Sequence, residues 1–315
     1  MKRRTLLKAV PLGLLPLAGD SLAWLELVSG KCCTQDPTED VKKAEDDDTI
    51  KLEEQTPPAR HRESDHSIAH DANHPGHGKV DLQKIKEFDQ RYPGDFILDP
   101  HQLTLLKTVF ARLQRAQRYI GHGNFNLLSF DHLLFCGENY SAIGAFSLQE
   151  LYFMEDIFFA NARRYGFYGA RVTHDLTAVV PMRDIKKIGR TGHFLFRGQP
   201  LQKYESIRAE LGSGITLTSG IRGIVKQMQL FLAKAVVTNG NLSQASRSLA
   251  PPGYSYHGIG DFDLGKVGFG LRNFTESFAT TDEYKRLIDL GYVSIRYTET
   301  NPFGVRHEPW HIKIA

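Results

Sequence analysis

Two short runs near the end of the chain hold the residues best suited to do chemistry. The first is Ser255-Tyr256-His257-Gly258-Ile259-Gly260-Asp261-Phe262-Asp263. The second is His307-Glu308-Pro309-Trp310-His311. They offer imidazoles, a pair of carboxylates in a strand-like run, and a Glu three residues before a His. A catalytic zinc ion takes three protein ligands, drawn from His nitrogen, carboxylate oxygen and thiolate, and keeps a position open for water. The ion lowers the pKa of that water to about 7 and polarises a carbonyl. A carboxylate must then take the water's proton and pass it to a leaving amine. His257, Asp263 and His311 can be the ligands and Glu308 the base. Asp261 lies on the same face of an extended run as Asp263, so it is the alternative ligand.

The elements that must position these residues follow from the pattern around them. Residues 203–211 read as a helix and 214–218 as a β-branched, alternating strand. Ser219-Gly220 turns the chain into a long helix over 221–237, with Ile224, Met228, Phe231, Leu232 and Ala235 facing inward. Arg222 sits where strand hands over to helix, a place from which its planar fork can meet a carboxylate or an oxyanion. Ala250-Pro251-Pro252-Gly253-Tyr254 forms a rigid approach to the first run. Beyond it a helix leads through Leu287 and Leu290 to Gly291 in the C′ role. Residues 292–297 read as a strand, Asn301-Pro302-Phe303-Gly304 as a hairpin turn and 305–314 as the last strand. Glu308 and His311 would face opposite sides of an ideal strand; Pro309, which cannot join a ladder, is where the irregularity belongs. The fold class is α+β: a small, mostly antiparallel sheet with flanking helices, preceded by a helical N-terminal elaboration.

That elaboration occupies residues 80–199. A helix over 101–117 carries one apolar stripe of Leu103, Leu106, Val109, Phe110 and Leu113. Another, over 147–164, opens with Ser147 and Glu150 spaced as a capping box. His122, His132, His174 and His193 read as core or surface histidines. Residues 24–79 read as a disordered linker, with an acidic block at Glu45-Asp46-Asp47-Asp48 and few large apolar residues. Within it His61, His66, His70, His74 and His77 lack the fixed geometry chelation needs, so a solvated linker is preferred to a metal-acquiring arm. Residues 1–23 read as an export signal of the twin-arginine type: Arg3-Arg4 precede a short apolar run broken by Pro11 and Pro16, and Ser21-Leu22-Ala23 suits cleavage. Cys32, Cys33 and Cys136 make no disulfide framework. Lys31 is a poor context for lipidation of Cys32, which leaves a membrane tether through the N-terminus as the minor alternative. A net charge of +3 without a basic, aromatic-studded stripe gives no argument for nucleic acid, and none is expected as a partner.

Three separated motifs resemble one known family. Ser255-x-His257-x-x-Gly260 followed by an Asp, the terminal Glu308-Pro309-Trp310-His311, and Ser219-Gly220-Ile221-Arg222 with Gln227 five residues after the Arg are similar to the zinc D-Ala-D-Ala carboxypeptidases of the VanY type, relatives of L,D-carboxypeptidases and phage peptidoglycan endopeptidases. The resemblance covers residues 200–315. It implies zinc on His257, Asp263 and His311, and Glu308 as base then acid. It also implies Arg222 as substrate or transition-state holder, with Ser255 and Gln227 lining the substrate site. The family's Asp stands seven residues after its first His, whereas Asp263 stands six after His257. Asp263-Leu264-Gly265 keeps the family's Asp-hydrophobic-Gly ending, which favours Asp263 over Asp261 and requires a local irregularity to re-aim the carboxylate. The expected function is an exported, periplasmic or envelope zinc peptidase acting on peptidoglycan stem peptides, foremost a D-Ala-releasing carboxypeptidase. The alternatives are an endopeptidase cutting cross-links and a non-catalytic peptidoglycan-binding module of the same fold. Oligomeric state is not legible.

Overall fold

The helical half is built by strong local signals. The computed structural model describes residues 80–314; the readings of the export signal, the linker, its histidines and Cys32-Cys33 lie outside these. Helices α1 (Leu82–Lys86), α2 (Pro100–Ile120), α3 (His122–Phe125), α4 (Phe130–Asn139) and α5 (Leu148–Phe159) follow one another. Asp99 caps α2 by accepting from the Gln102 amide, and Gln102 reciprocates in a capping box. The expected stripe is its buried face, with Leu106, Val109 and Leu113 fully buried. Ser147 and Glu150 form their capping box at α5. The helix expected over 147–164 stops at Phe159, and a separate 3₁₀ turn, Ala162–Tyr165, ends at Gly166 in the left-handed region. The region is not purely helical. An antiparallel hairpin pairs β1 (Ile185–Ile188) with β2 (His193–Phe196), a departure from the expected helical elaboration. Gly189-Arg190-Thr191-Gly192 is its turn, with Arg190 and Gly192 at positive φ.

The second half supplies the sheet. Helix α6 (Gln199–Leu211) leads into β3 (Ile215–Ser219), then α7 (Ile224–Val237) and α8 (Leu242–Ser246). Strand β4 (Phe262–Lys266), helix α9 (Asp282–Asp289) and β5 (His311–Ile312) complete the order. The sheet is β3-β4-β5 and antiparallel, with Ser219 opposite Asp263 and Asp263 opposite His311. The sheet carries a register irregularity beside Asp263, on the partner strand. The register slips between Leu217 and Ser219 of β3, not within β4.

Two expected strands are corrected. Residues 292–297 contribute only a bridge from Ile295 to Ile312, and of residues 305–314 only His311–Ile312 is strand. The cause is the turn that brings Glu308 and His311 together. The His311 amide bonds back to the Glu308 carbonyl at 3.1 Å, across Pro309 and Trp310, while the Glu308 amide donates to the Tyr297 carbonyl at 2.9 Å. A backbone committed to these bonds cannot continue a ladder.

The largest hydrophobic cluster ignores the expected boundary near residue 200. Leu106, Leu113 and Phe158 from the helical half pack in it with Met228, Phe231 and Leu232 of α7. A second cluster lies against the sheet, where Ile207 and Leu287 join Ile215, Leu217, Phe262, Leu264 and Ile312. Among the described residues no helix is long and apolar enough to cross a membrane. Since Phe231 is fully buried in the shared cluster, Phe231→Ala should lower unfolding free energy by about 3–5 kcal/mol. Chemical denaturation, followed by far-ultraviolet circular dichroism, checks this, and one coincident transition for both halves is expected.

Candidate metal centre

Four segments converge on one buried point. The loop that ends in Ser255 enters a one-turn 3₁₀ helix, Tyr256–Gly258, whose middle residue is His257. Asp263 comes from the central strand β4 and His311 from the adjoining β5. One ligating atom from each of His257, Asp263 and His311 lies within 4.8 Å of the others, and all three residues are buried. Glu308, across the turn from His311, sets its Oε2 3.8 Å from His311 Nδ1.

The imidazoles present different nitrogens. His257 Nδ1 stands 2.9 Å from the Gly220 carbonyl. A carbonyl only accepts, so Nδ1 carries the proton and Nε2 is left bare. That Nε2 lies 3.3 Å from Asp263 Oδ1, and neither atom has a hydrogen-bond partner although both are buried. Buried polar atoms without partners are rare and costly. His311 donates from Nε2 to Asp261 Oδ2 at 3.0 Å and turns Nδ1 toward the same Asp263 Oδ1, 3.3 Å away. Two ligands of a tetrahedral zinc ion stand about 3.3 Å apart at bond lengths near 2.0–2.1 Å. The partnerless atoms and the spacing of the donors thus fit a divalent ion of the zinc kind.

Asp261 and Asp263 are separated by this arrangement. Asp263 faces the point of convergence; Asp261 sits behind His311 and takes two bonds from Arg296, from Nε and, at 3.1 Å, from Nη2. Arg222 reaches in from the start of α7, bonded through Nε to Ser219 Oγ at 2.8 Å and through Nη2 to Asp263 Oδ2 at 2.5 Å. Ser255 is buried just ahead of the His257 turn. Gln227 is buried and donates to the Ala250 carbonyl at 2.6 Å, which ties α7 to the approach loop; its Oε1 has no partner.

Charge and burial tune each group. Burial pushes His257 down to about 4, with the Arg222 charge adding to it, so the imidazole is neutral at physiological pH. For His311 burial opposes the charged form, but its bond to Asp261 and the negative charge of Asp263 beside it prevail and push it up to about 9. Burial also works against ionised Asp263, yet His257 and Arg222 hold its carboxyl well below the usual range. Glu308 is pushed up to about 7 by burial, against the pull of Arg306. A carboxylate near 7 is poised to gain and lose a proton at working pH.

Several contributors had no sequence signal. Arg296 and Arg306 read as ordinary strand charges. Tyr297 packs its ring 4.9 Å from that of His311. His193, expected as a core or surface residue, lies close enough to Arg222 and Asp263 to feel their charges. Only tertiary contact reveals these roles.

Residues 199–314 match the model of the family described as VanY: D-alanyl-D-alanine carboxypeptidase. The search of curated proteins returned no match. Among solved structures, the LdcB LD-carboxypeptidase is 22% identical with a TM-score of 0.34, covering 41% of this chain and 61% of its own. This chain therefore spans about three-fifths of that relative. A mutant of the vancomycin-resistance D,D-pentapeptidase VanY from a VanB-type cassette, in complex with Zn(II), is 22% identical at a TM-score of 0.33, covering 42% and 81% of the two chains. VanYB in complex with D-alanine-D-alanine is also 22% identical, with a TM-score of 0.34 and coverage of 42% and 80%.

The orientation of His257 depends on a close backbone approach. A Cβ on Gly220 would lie 2.1 Å from the Phe194 carbonyl oxygen of β2. Gly220→Ala must therefore move either the hairpin or the carbonyl that holds His257. A stability loss of about 1–3 kcal/mol is expected, readable as a lowered thermal midpoint.

Proposed function

We propose, from the match of residues 199–314 to the family described as VanY: D-alanyl-D-alanine carboxypeptidase, that the protein is an exported zinc peptidase. It hydrolyses peptidoglycan stem peptides and foremost releases a terminal D-Ala. The observation that carries this reading is the convergence of His257, Asp263 and His311 around partnerless buried donor atoms, with Glu308 beside them. In this reading residues 80–199 are an elaboration packed on the peptidase core, and the twin-arginine pair Arg3-Arg4 directs the chain to the cell envelope.

Each residue then has a task. His257, Asp263 and His311 would hold the ion. Zinc bound there supplies a Lewis acid for the scissile carbonyl and lowers the pKa of water. Glu308 takes the proton of the attacking water and returns it to the departing amine; burial, which keeps its carboxyl near 7, makes both transfers accessible. Arg222 offers positive charge at the same place, for the oxygen that gains negative charge or for the substrate's terminal carboxylate. Its bonds to Ser219 and Asp263 use Nε and Nη2, so they fix the guanidinium plane without engaging Nη1. Ser255 lines the substrate site ahead of His257, and Gln227, whose buried Oε1 has no partner, is the further substrate-site residue.

Purified full-length protein with muropeptides bearing pentapeptide or tetrapeptide stems tests this. Mass spectrometry should show zinc-dependent release of D-Ala. Glu308→Gln should cut the rate about 10²–10⁴-fold while zinc content stays that of the parent. His311→Gln should lose both metal and activity. Loss of cross-links instead of terminal D-Ala would make the protein an endopeptidase, and sacculus binding without metal would make it a binding module.

A further inference from the structure

Asp261 is 1% exposed, yet it is not in the group that converges on the ion. Its carboxylate is saturated from three directions. His311 donates from Nε2 at 3.0 Å, the Ile314 amide donates to Oδ1 at 2.8 Å, and Arg296 closes on both oxygens through Nε and Nη2. Arg296 in turn lies with its guanidinium 3.7 Å from the centroid of the Tyr256 ring, next to His257. The Asp261 amide donates to the Tyr256 carbonyl at 3.2 Å. One carboxylate therefore links the turn that carries His257, the strand that carries Asp263 and the strand that carries His311.

A neutral imidazole has one N–H and one lone pair, and whichever nitrogen meets an outer acceptor keeps the proton. A carboxylate behind a ligating histidine also fixes the rotation of the ring and raises its basicity. We infer that Asp261 is the positioning residue of this centre: it holds the proton of His311 on Nε2, so that Nδ1 points at Asp263 and His257, and Arg296 holds Asp261 in turn. This rests on the zinc reading above and extends it to residues which that reading does not use. It also explains why two buried carboxylates stand two residues apart. Asp263 is placed to hold the ion, and Asp261 to aim one of the ion's other holders.

Two measurements on full-length protein test it. The first is zinc affinity by competition with a chromophoric chelator, for the parent, Asp261→Asn and Arg296→Lys. Asp261→Asn should weaken zinc binding about 10–100-fold, and Arg296→Lys should weaken it in the same direction by less. The second is long-range ¹H–¹⁵N correlation of the histidine rings in the zinc-loaded parent, which needs no variant and decides the matter if Asp261→Asn does not fold. It should show His311 protonated at Nε2 and metallated at Nδ1, and His257 the reverse. A merely structural Asp261 would lower the thermal midpoint while leaving the affinity of the folded protein unchanged. A parent that binds zinc, with unchanged affinity in Asp261→Asn or with the proton of His311 on Nδ1, overturns this inference and leaves the zinc reading standing. A parent that binds no zinc overturns the zinc reading itself.

Discussion

Three carboxylates, Asp261, Asp263 and Glu308, are buried within one small volume. Unpaired, such charges cost several kcal/mol each. Each has its own arginine: Arg296 on Asp261, Arg222 on Asp263, and Arg306 with Nε 3.7 Å from Glu308 Oε1. The arginines come from separate stretches of chain, at the head of α7 and on either side of the turn at residues 301–304. The ends of the sheet domain are therefore tied to its middle by charge compensation. Arg306 also stacks 4.9 Å from the Trp310 centroid and 4.7 Å from that of Phe88, which brings the turn after α1 into the same arrangement.

The pairings differ in tightness, and the difference suits the roles proposed above for the three carboxylates. Asp261 is fully engaged and Asp263 is engaged at one oxygen only, with Oδ1 left without a partner. Glu308 is the least satisfied, and its Oε1 is beyond hydrogen-bond distance of Arg306. A group that only orients gains from saturation, a ligand must keep a lone pair, and a base must change its protonation state. The gradient from Asp261 to Glu308 runs in that order, with burial raising Glu308 where the other two are held down.

Much of this was legible in the sequence because the relevant physics is local. The capping boxes at Asp99 and Ser147, the stripe of α2 and the strand of alternating residues before Ser219 all appear where spacing and propensity place them. His257, Asp263, Glu308 and His311, singled out by residue type and motif, lie together in the structure. What was not legible depends on contacts distant in sequence. The last strands read too long because their apolar pattern is satisfied by packing against α6 and α9, while the backbone of residues 308–311 forms a turn. The β1–β2 hairpin left only a weak trace, since β1 is Ile185-Lys186-Lys187-Ile188 and the apolar run Phe194-Leu195-Phe196 lies in β2 alone. The roles of Arg296 and Asp261 have no local signature, since each is defined only by the other and by His311.

The contact between Gly220 and β2 has a consequence for how this centre can vary. The Phe194 carbonyl accepts from the Ile221 amide at 2.9 Å, and the neighbouring Gly220 carbonyl holds His257. The hairpin is thus an abutment for the metal centre, two covalent bonds removed from the atom that sets an imidazole's direction. An insertion that shifts the backbone of β2 would displace the carbonyl that holds His257. The tolerance of this His257 orientation to sequence drift is set in part by a peptide unit outside the cluster of donor atoms.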